Sequence, residues 1–302
     1  RFLFFLIMAS RTLLFVSFLT AFIFFQSTHA GQIAIYWGQN ASEGNLTSAC
    51  STGNYSYVNI GFLTVFGKGK TPKLDLSDHC NTTSNCTAMS SEIIDCQKRG
   101  VKVMLSIGGR KGSYRLNSEA DAKNVGEYLW NNFLSGNSSS RPLGPAVLDG
   151  IDFYIEKNSG NYYADLARYL NGKSTSTRKV FLAAAPTCHY PDNRLSAALN
   201  TGLFDNVWIK FFNSSSCQYK SNSTRKMFKA WDKWTTSVNA GSFFVGLPAS
   251  PNATKGGYIP PNELIAKVLP TVKKTARYGG VMLWSRLQDS QTRYSASIIG
   301  SI

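Results

Sequence analysis

Between residues 32 and 285 the chain alternates short apolar, β-branched runs with longer amphipathic stretches, which points to a parallel sheet buried on both faces under helices. Eight runs read as strands: 32–37, 57–63, 102–109, 150–156, 180–186, 206–213, 243–249 and 280–285. They start about 35 residues apart, and helix-like segments at 120–133, 162–170, 226–238 and 262–274 lie between several of them. Eight such units fit a single-domain α/β fold, the (β/α)8 TIM barrel, whose usual length is about 250 residues. A doubly wound open sheet is the rival, but no Gly-x-Gly-x-x-Gly follows the first strand.

The barrel is expected over residues 31–302. Residues 1–30 read as a secretory signal peptide: the stretch 2–25 is almost wholly apolar and ends in Ser27-Thr28-His29-Ala30, with Met8 as the expected start. No second apolar span follows, so no membrane span is expected after signal removal, and the address is the secretory pathway, extracellular or vacuolar. Six cysteines, Cys50, Cys80, Cys86, Cys96, Cys188 and Cys217, suit an oxidising compartment, and the sequence by itself allows fifteen pairings. Nine Asn-x-Ser/Thr sequons agree: Asn40, Asn45, Asn54, Asn81, Asn85, Asn137, Asn213, Asn222 and Asn252.

Lys and Arg number 32 against 17 Asp and Glu, a net charge of +15 that falls to +13 when Arg1 and Arg11 leave with the leader. The cations are scattered in runs of at most two, as at Lys273-Lys274, whereas a phosphate-tracking protein gathers them on one face. Nucleic acid is therefore not expected as a partner, and weak attraction to acidic glycans is.

In a barrel of this kind function sits at the C-terminal ends of the strands. The fourth strand reads Leu148-Asp149-Gly150-Ile151-Asp152-Phe153-Tyr154-Ile155-Glu156. Alternation sends Asp152, Tyr154 and Glu156 to one side, into the barrel mouth, and two carboxylates buried on one strand are costly unless they have partners or a task.

This stretch resembles the Asp-x-x-Asp-x-Asp-x-Glu signature of family 18 glycoside hydrolases. From residue 31 to 302 the chain is similar to the plant class III chitinases of hevamine type, through Ile33-Ala34-Ile35-Tyr36-Trp37-Gly38-Gln39-Asn40, Ser106-Ile107-Gly108-Gly109, Ala184-Ala185-Pro186 and Met282-Leu283-Trp284-Ser285. The resemblance implies three disulfides, Cys50–Cys96, Cys80–Cys86 and Cys188–Cys217. It also implies substrate-assisted cleavage, in which Glu156 matches the acid and the sugar's N-acetyl oxygen attacks the anomeric carbon. Tyr36, Gln39, Asp75 and Trp284 fall at its sugar-groove positions, and no cofactor or metal is implied.

Three departures mark the site. Tyr154 stands where the family has its middle carboxylate. Phe212 replaces a tyrosine and Lys210 a glutamine, and Arg110-Lys111 follow the glycine run of the third strand. Arg110 and Lys210 are expected to block the site, one of them pairing with an ionised Glu156. Asp152, Tyr154, Glu156 and Phe212 are then vestigial, and the chain is expected not to be an enzyme. The leading expectation is a non-hydrolytic chitinase-like lectin for N-acetylglucosamine or chito-oligosaccharides. The alternatives are an inhibitor of microbial glycosidases such as xylanases, and a seed storage or defence protein.

Overall fold

The computed structural model describes residues 31–80, 86–157, 162–221 and 223–302. Residues 1–30, read above as a leader, and the sequons at Asn81, Asn85 and Asn222 lie outside the described residues. Eight parallel strands form the barrel: β1 (Gln32–Trp37), β2 (Tyr57–Phe66), β3 (Lys102–Gly108), β4 (Gly150–Tyr154), β5 (Phe181–Ala184), β6 (Asn206–Lys210), β7 (Ser242–Pro248) and β8 (Tyr278–Trp284). Each pairs with the next, and β8 returns to β1. Ile35 lies opposite Leu283 on one side and Val58 on the other, which closes the ring.

Two separate apolar populations follow from the period-2 alternation. One residue set, including Ile33, Ile35, Val103, Leu105, Ile151 and Phe153, packs outward against the helices. The other, including Ala34, Tyr36, Met104, Tyr154, Trp208, Phe244 and Met282, fills the barrel interior. Helix α1 (Glu119–Phe133) shows how the outer layer forms. Ser118 caps it by accepting from the Asp121 N–H at 3.1 Å, and Ala122, Val125, Leu129 and Phe133 recur at three- and four-residue spacing on its buried face. Helices α2 (Tyr163–Asn171) and α3 (Arg225–Ser237) bury a face in the same way, though without a side-chain cap at the N-terminus.

Sulfur bridges join Cys50 to Cys96, Cys80 to Cys86 and Cys188 to Cys217. Gly108 ends β3 at φ +111°, where a Cβ would lie 2.3 Å from the Tyr154 carbonyl oxygen, so only glycine lets β3 and β4 meet there.

Some expected bounds shift. β4 stops at Tyr154 and β6 at Lys210, leaving Glu156 and Phe212 on the loops beyond. The stretch 262–274 is not one helix: Pro261–Glu263 leads into a π-helical turn at Leu264–Val268 and then Leu269–Val272, because Pro270 supplies no backbone N–H to the regular ladder. β2 runs three residues past its expected end. Val65 pairs there with Lys73 of an antiparallel segment, Lys73–Leu74, and with Ser113 of a parallel one, Ser113–Tyr114, raising one side of the rim. Of the described sequons, Asn40, Asn45, Asn137, Asn213 and Asn252 are exposed. Asn54 is half-buried and its amide donates to Ser295 Oγ at 3.1 Å, so a glycan there would cost that contact.

Candidate active site

The mouth is assembled from strand ends that the closed ring brings face to face. Asp152 is fully buried on the barrel axis. Its Oδ2 accepts from Tyr36 Oη at 2.7 Å and Ser106 Oγ at 2.6 Å, and its Oδ1 from Trp208 Nε1 at 3.0 Å. Burial raises its carboxyl to about 6, and those three donors, with Lys210 behind them, hold it from rising further. Ser106 and Trp208 escaped the sequence reading as partners, although the parity of β3 and β6 places both inside.

Tyr154 is 4% exposed and packs among three other rings, with centroids 5.1 Å from Tyr36, 5.1 Å from Phe62 and 5.6 Å from Trp284. Burial lifts its phenol well above the usual range, and the neighbouring Glu156 carboxylate adds to that. The ring forms the floor of the mouth. Phe212, 4% exposed, belongs to the same interior cluster and lines the recess above it.

Lys210 ends β6 with its side chain 3% exposed. Its ammonium lies 2.7 Å from Glu156 Oε1 and 3.8 Å from the centre of the Tyr154 ring. A buried cation unpartnered by its own strand is thus held by a carboxylate and an aromatic face. Glu156 keeps its side chain 29% exposed, and its backbone N–H donates to Tyr114 Oη at 3.0 Å. The same hydroxyl donates to the Gly109 carbonyl at 2.6 Å, so Tyr114 ties the loop after β3 to the loop after β4.

Above the pair lies a recess of about 230 Å³, below the usual size of a small-molecule pocket and suited to about one sugar ring. Trp284 and Gln39 line it. Two other expected groove residues, Tyr36 and Asp75, are not part of its lining. Tyr36 is 1% exposed and donates inward to Asp152, because its position along β1 sets it deeper than the aromatic floor. Asp75 turns its carboxylate to the Ser77 N–H at 3.0 Å, while its backbone carbonyl meets the Gln39 amide at 3.4 Å. Gln39 is itself anchored, donating to the Gly61 carbonyl at 2.6 Å. Arg110 is exposed at the rim of the recess, and among the described residues no ion pair joins it to Glu156. It borders the recess without pairing with Glu156.

Residues 32–257 match the family described as Glycosyl hydrolases family 18. An acidic endochitinase of Arabidopsis thaliana is 55% identical over 273 residues, 90% of each chain, and one of Vitis vinifera is 55% identical over 281 residues, 92% of this chain and 93% of that one. Among solved structures, a chitinase from Ipomoea carnea superposes with a TM-score of 0.86 at 48% identity, covering 90% of this chain and 100% of that one. A xylanase and α-amylase inhibitor protein from Scadoxus multiflorus gives 0.84 at 40%, covering 90% and 99%. The tamarind chitinase-like lectin gives 0.78 at 33%, covering 88% and 98%. The expectation that the chain is not an enzyme is corrected by these relatives: chains more than half identical over nine-tenths of its length carry the name acidic endochitinase.

Proposed function

The chain belongs to the family 18 glycosyl hydrolases, and from that premise we propose that its mouth binds oligomers of N-acetylglucosamine, lectin-like in holding them, and cuts them slowly through Glu156. The observation that carries this reading is the contact of Lys210 Nζ with Glu156 Oε1 at 2.7 Å. A general acid must reach the leaving oxygen with its carboxyl, and here one carboxylate oxygen is engaged by a buried ammonium. Each turnover therefore begins by separating the pair.

Tyr154 is the second brake. When the N-acetyl oxygen attacks the anomeric carbon, positive charge develops where the family supplies a carboxylate. A phenol in its place forfeits about 3 to 4 kcal/mol, or about 10² to 10³ in rate. Trp284, half-exposed beside the recess, offers the apolar face of a sugar ring a surface to stack on. The relatives named endochitinase and the structural neighbour named lectin support the two halves of the proposal. The leader, the three disulfides and the exposed sequons support action in the secretory pathway or outside the cell.

The test is titration of the protein and of Glu156→Gln with the hexamer of N-acetylglucosamine, followed by product analysis. Binding in both with slow cleavage only in the unmodified protein is expected. Absence of binding, or cleavage indifferent to Glu156, overturns the reading. The filled floor of the mouth and the likeness to a xylanase and α-amylase inhibitor favour a second reading, capture of a foreign glycosidase, which inhibition of microbial xylanases or α-amylases by this protein would establish.

A further inference from the structure

We propose that the rim built by the ends of β2, β3 and β4 is a docking surface for a linear polyuronate, a polysaccharide with one carboxylate on each sugar. Three chain segments make it. The loop from β2 to Lys73–Leu74 carries Lys68, Lys70 and Lys73; the stretch after β3 carries Arg110, Lys111 and Arg115; Lys157 follows β4. All seven are exposed. The segments are stitched together, since Val65 pairs with both Lys73 and Ser113, Lys70 Nζ donates to Ser113 Oγ at 2.5 Å, and Lys157 Nζ donates to the Gly112 carbonyl at 3.3 Å. Cations that are scattered along the sequence thus share one raised edge.

That edge is not neutralised by the protein. No acidic residue occurs between 64 and 74 or between 107 and 118. Among the described residues none of the seven cations takes part in a salt bridge. Asp121, the carboxylate that does touch the rim, is engaged by backbone donors, the Lys68 N–H at 2.9 Å and the Asn117 N–H at 3.0 Å. A field of one sign concentrated at a cleft raises the local concentration of an oppositely charged ligand.

The chemistry of the edge favours a polyuronate over a nucleic acid. Five of the seven cations are lysines, mobile point charges that can follow spaced carboxylates without fixed geometry. A nucleic-acid strand is gripped by stacking as well as charge, and the rim presents no exposed ring: Tyr114 is 1% exposed, and Tyr162 is the exposed large aromatic among the described residues. Arg110 and Lys111 also line the recess beside Trp284, so the charged edge leads into a mouth suited to a pyranose.

The experiment is binding of the protein to immobilised polygalacturonate across a salt series. Affinity should fall about tenfold between about 50 and 200 mM salt. Neutralising the edge with Lys68→Gln, Lys70→Gln, Lys73→Gln and Arg115→Gln together should weaken binding about tenfold or more. A matched variant, Arg225→Gln, Lys226→Gln, Lys229→Gln and Lys233→Gln on the exposed face of α3, removes the same charge and should leave binding unchanged. Equal losses in the two variants, salt-insensitive binding, or tighter binding to a single-stranded oligonucleotide than to polygalacturonate would overturn the assignment. Failure of N-acetylglucosamine oligomers to bind would leave it standing, because the edge and the recess are assayed with different sugars.

Discussion

The Lys210 ammonium and the Glu156 carboxylate meet at 2.7 Å from strand ends 54 residues apart, with the Tyr154 ring 3.8 Å beneath the cation. This closed arrangement satisfies the buried lysine without substrate. It also engages one oxygen of the carboxylate that matches the family's proton donor.

Removing the cation should therefore release the acid. Lys210→Gln is expected to raise cleavage of N-acetylglucosamine hexamer about tenfold, because the Glu156 oxygen no longer has to be withdrawn from an ammonium before it can serve the leaving oxygen. Initial rates of the two proteins check this, and an unchanged rate shows that the pair does not limit turnover.

The converse substitution strands a charge. Glu156→Gln leaves the 3%-exposed Lys210 side chain beside a neutral amide and is expected to cost about 1 to 3 kcal/mol. Equilibrium urea unfolding reads it. Lys210→Met combined with Glu156→Gln should recover most of the loss, since the buried ammonium is then gone.

Repair at the floor should be cooperative. Tyr154→Asp alone is expected to gain less than about tenfold in turnover, because Phe212 and Lys210 remain, whereas Tyr154→Asp with Phe212→Tyr and Lys210→Gln should gain about 10² or more. Reducing-end assays on the variants decide it. Full recovery by the single substitution would assign the whole deficit to Tyr154.

Stacking on Trp284 should be visible in affinity. Trp284→Ala is expected to weaken binding of the hexamer about tenfold, a loss of about 1.4 kcal/mol. Calorimetric titration measures it, and no change would move the sugar elsewhere on the mouth.

Asp152 supplies a pH signature. Burial lifts its folded carboxyl to about 6 from 3.8, so the fold favours the protonated form. Its contribution to stability is complete below the unfolded value, declines as pH rises through the window from about 4 to 6, and is constant above it. The shift corresponds to about 3 kcal/mol. The stability of the unmodified protein relative to Asp152→Asn should fall by about that amount between pH 4 and pH 7 in urea titrations.

What the sequence by itself determined was the repeating layer and its faces. The eight strand runs, their parallel pairing and the inward parity of Asp152 and Tyr154 are local properties, set by hydrophobic period and visible without neighbours. The disulfide pairs became legible through the family resemblance, not through cysteine spacing. Tertiary structure decided which strand ends meet. Parity on β6 and β4 could not say that Lys210 reaches Glu156 while Arg110 does not. Nor could parity on β1 say that Tyr36 lies beneath the aromatic floor against Asp152 and not in the groove. The cations of three separate loops likewise share an edge only once β2 overruns the barrel and pairs with Ser113–Tyr114. The physical reason is that alternation assigns a side chain to a face, whereas its depth and its partner across the ring depend on register and closure, which exist only when all eight strands are paired.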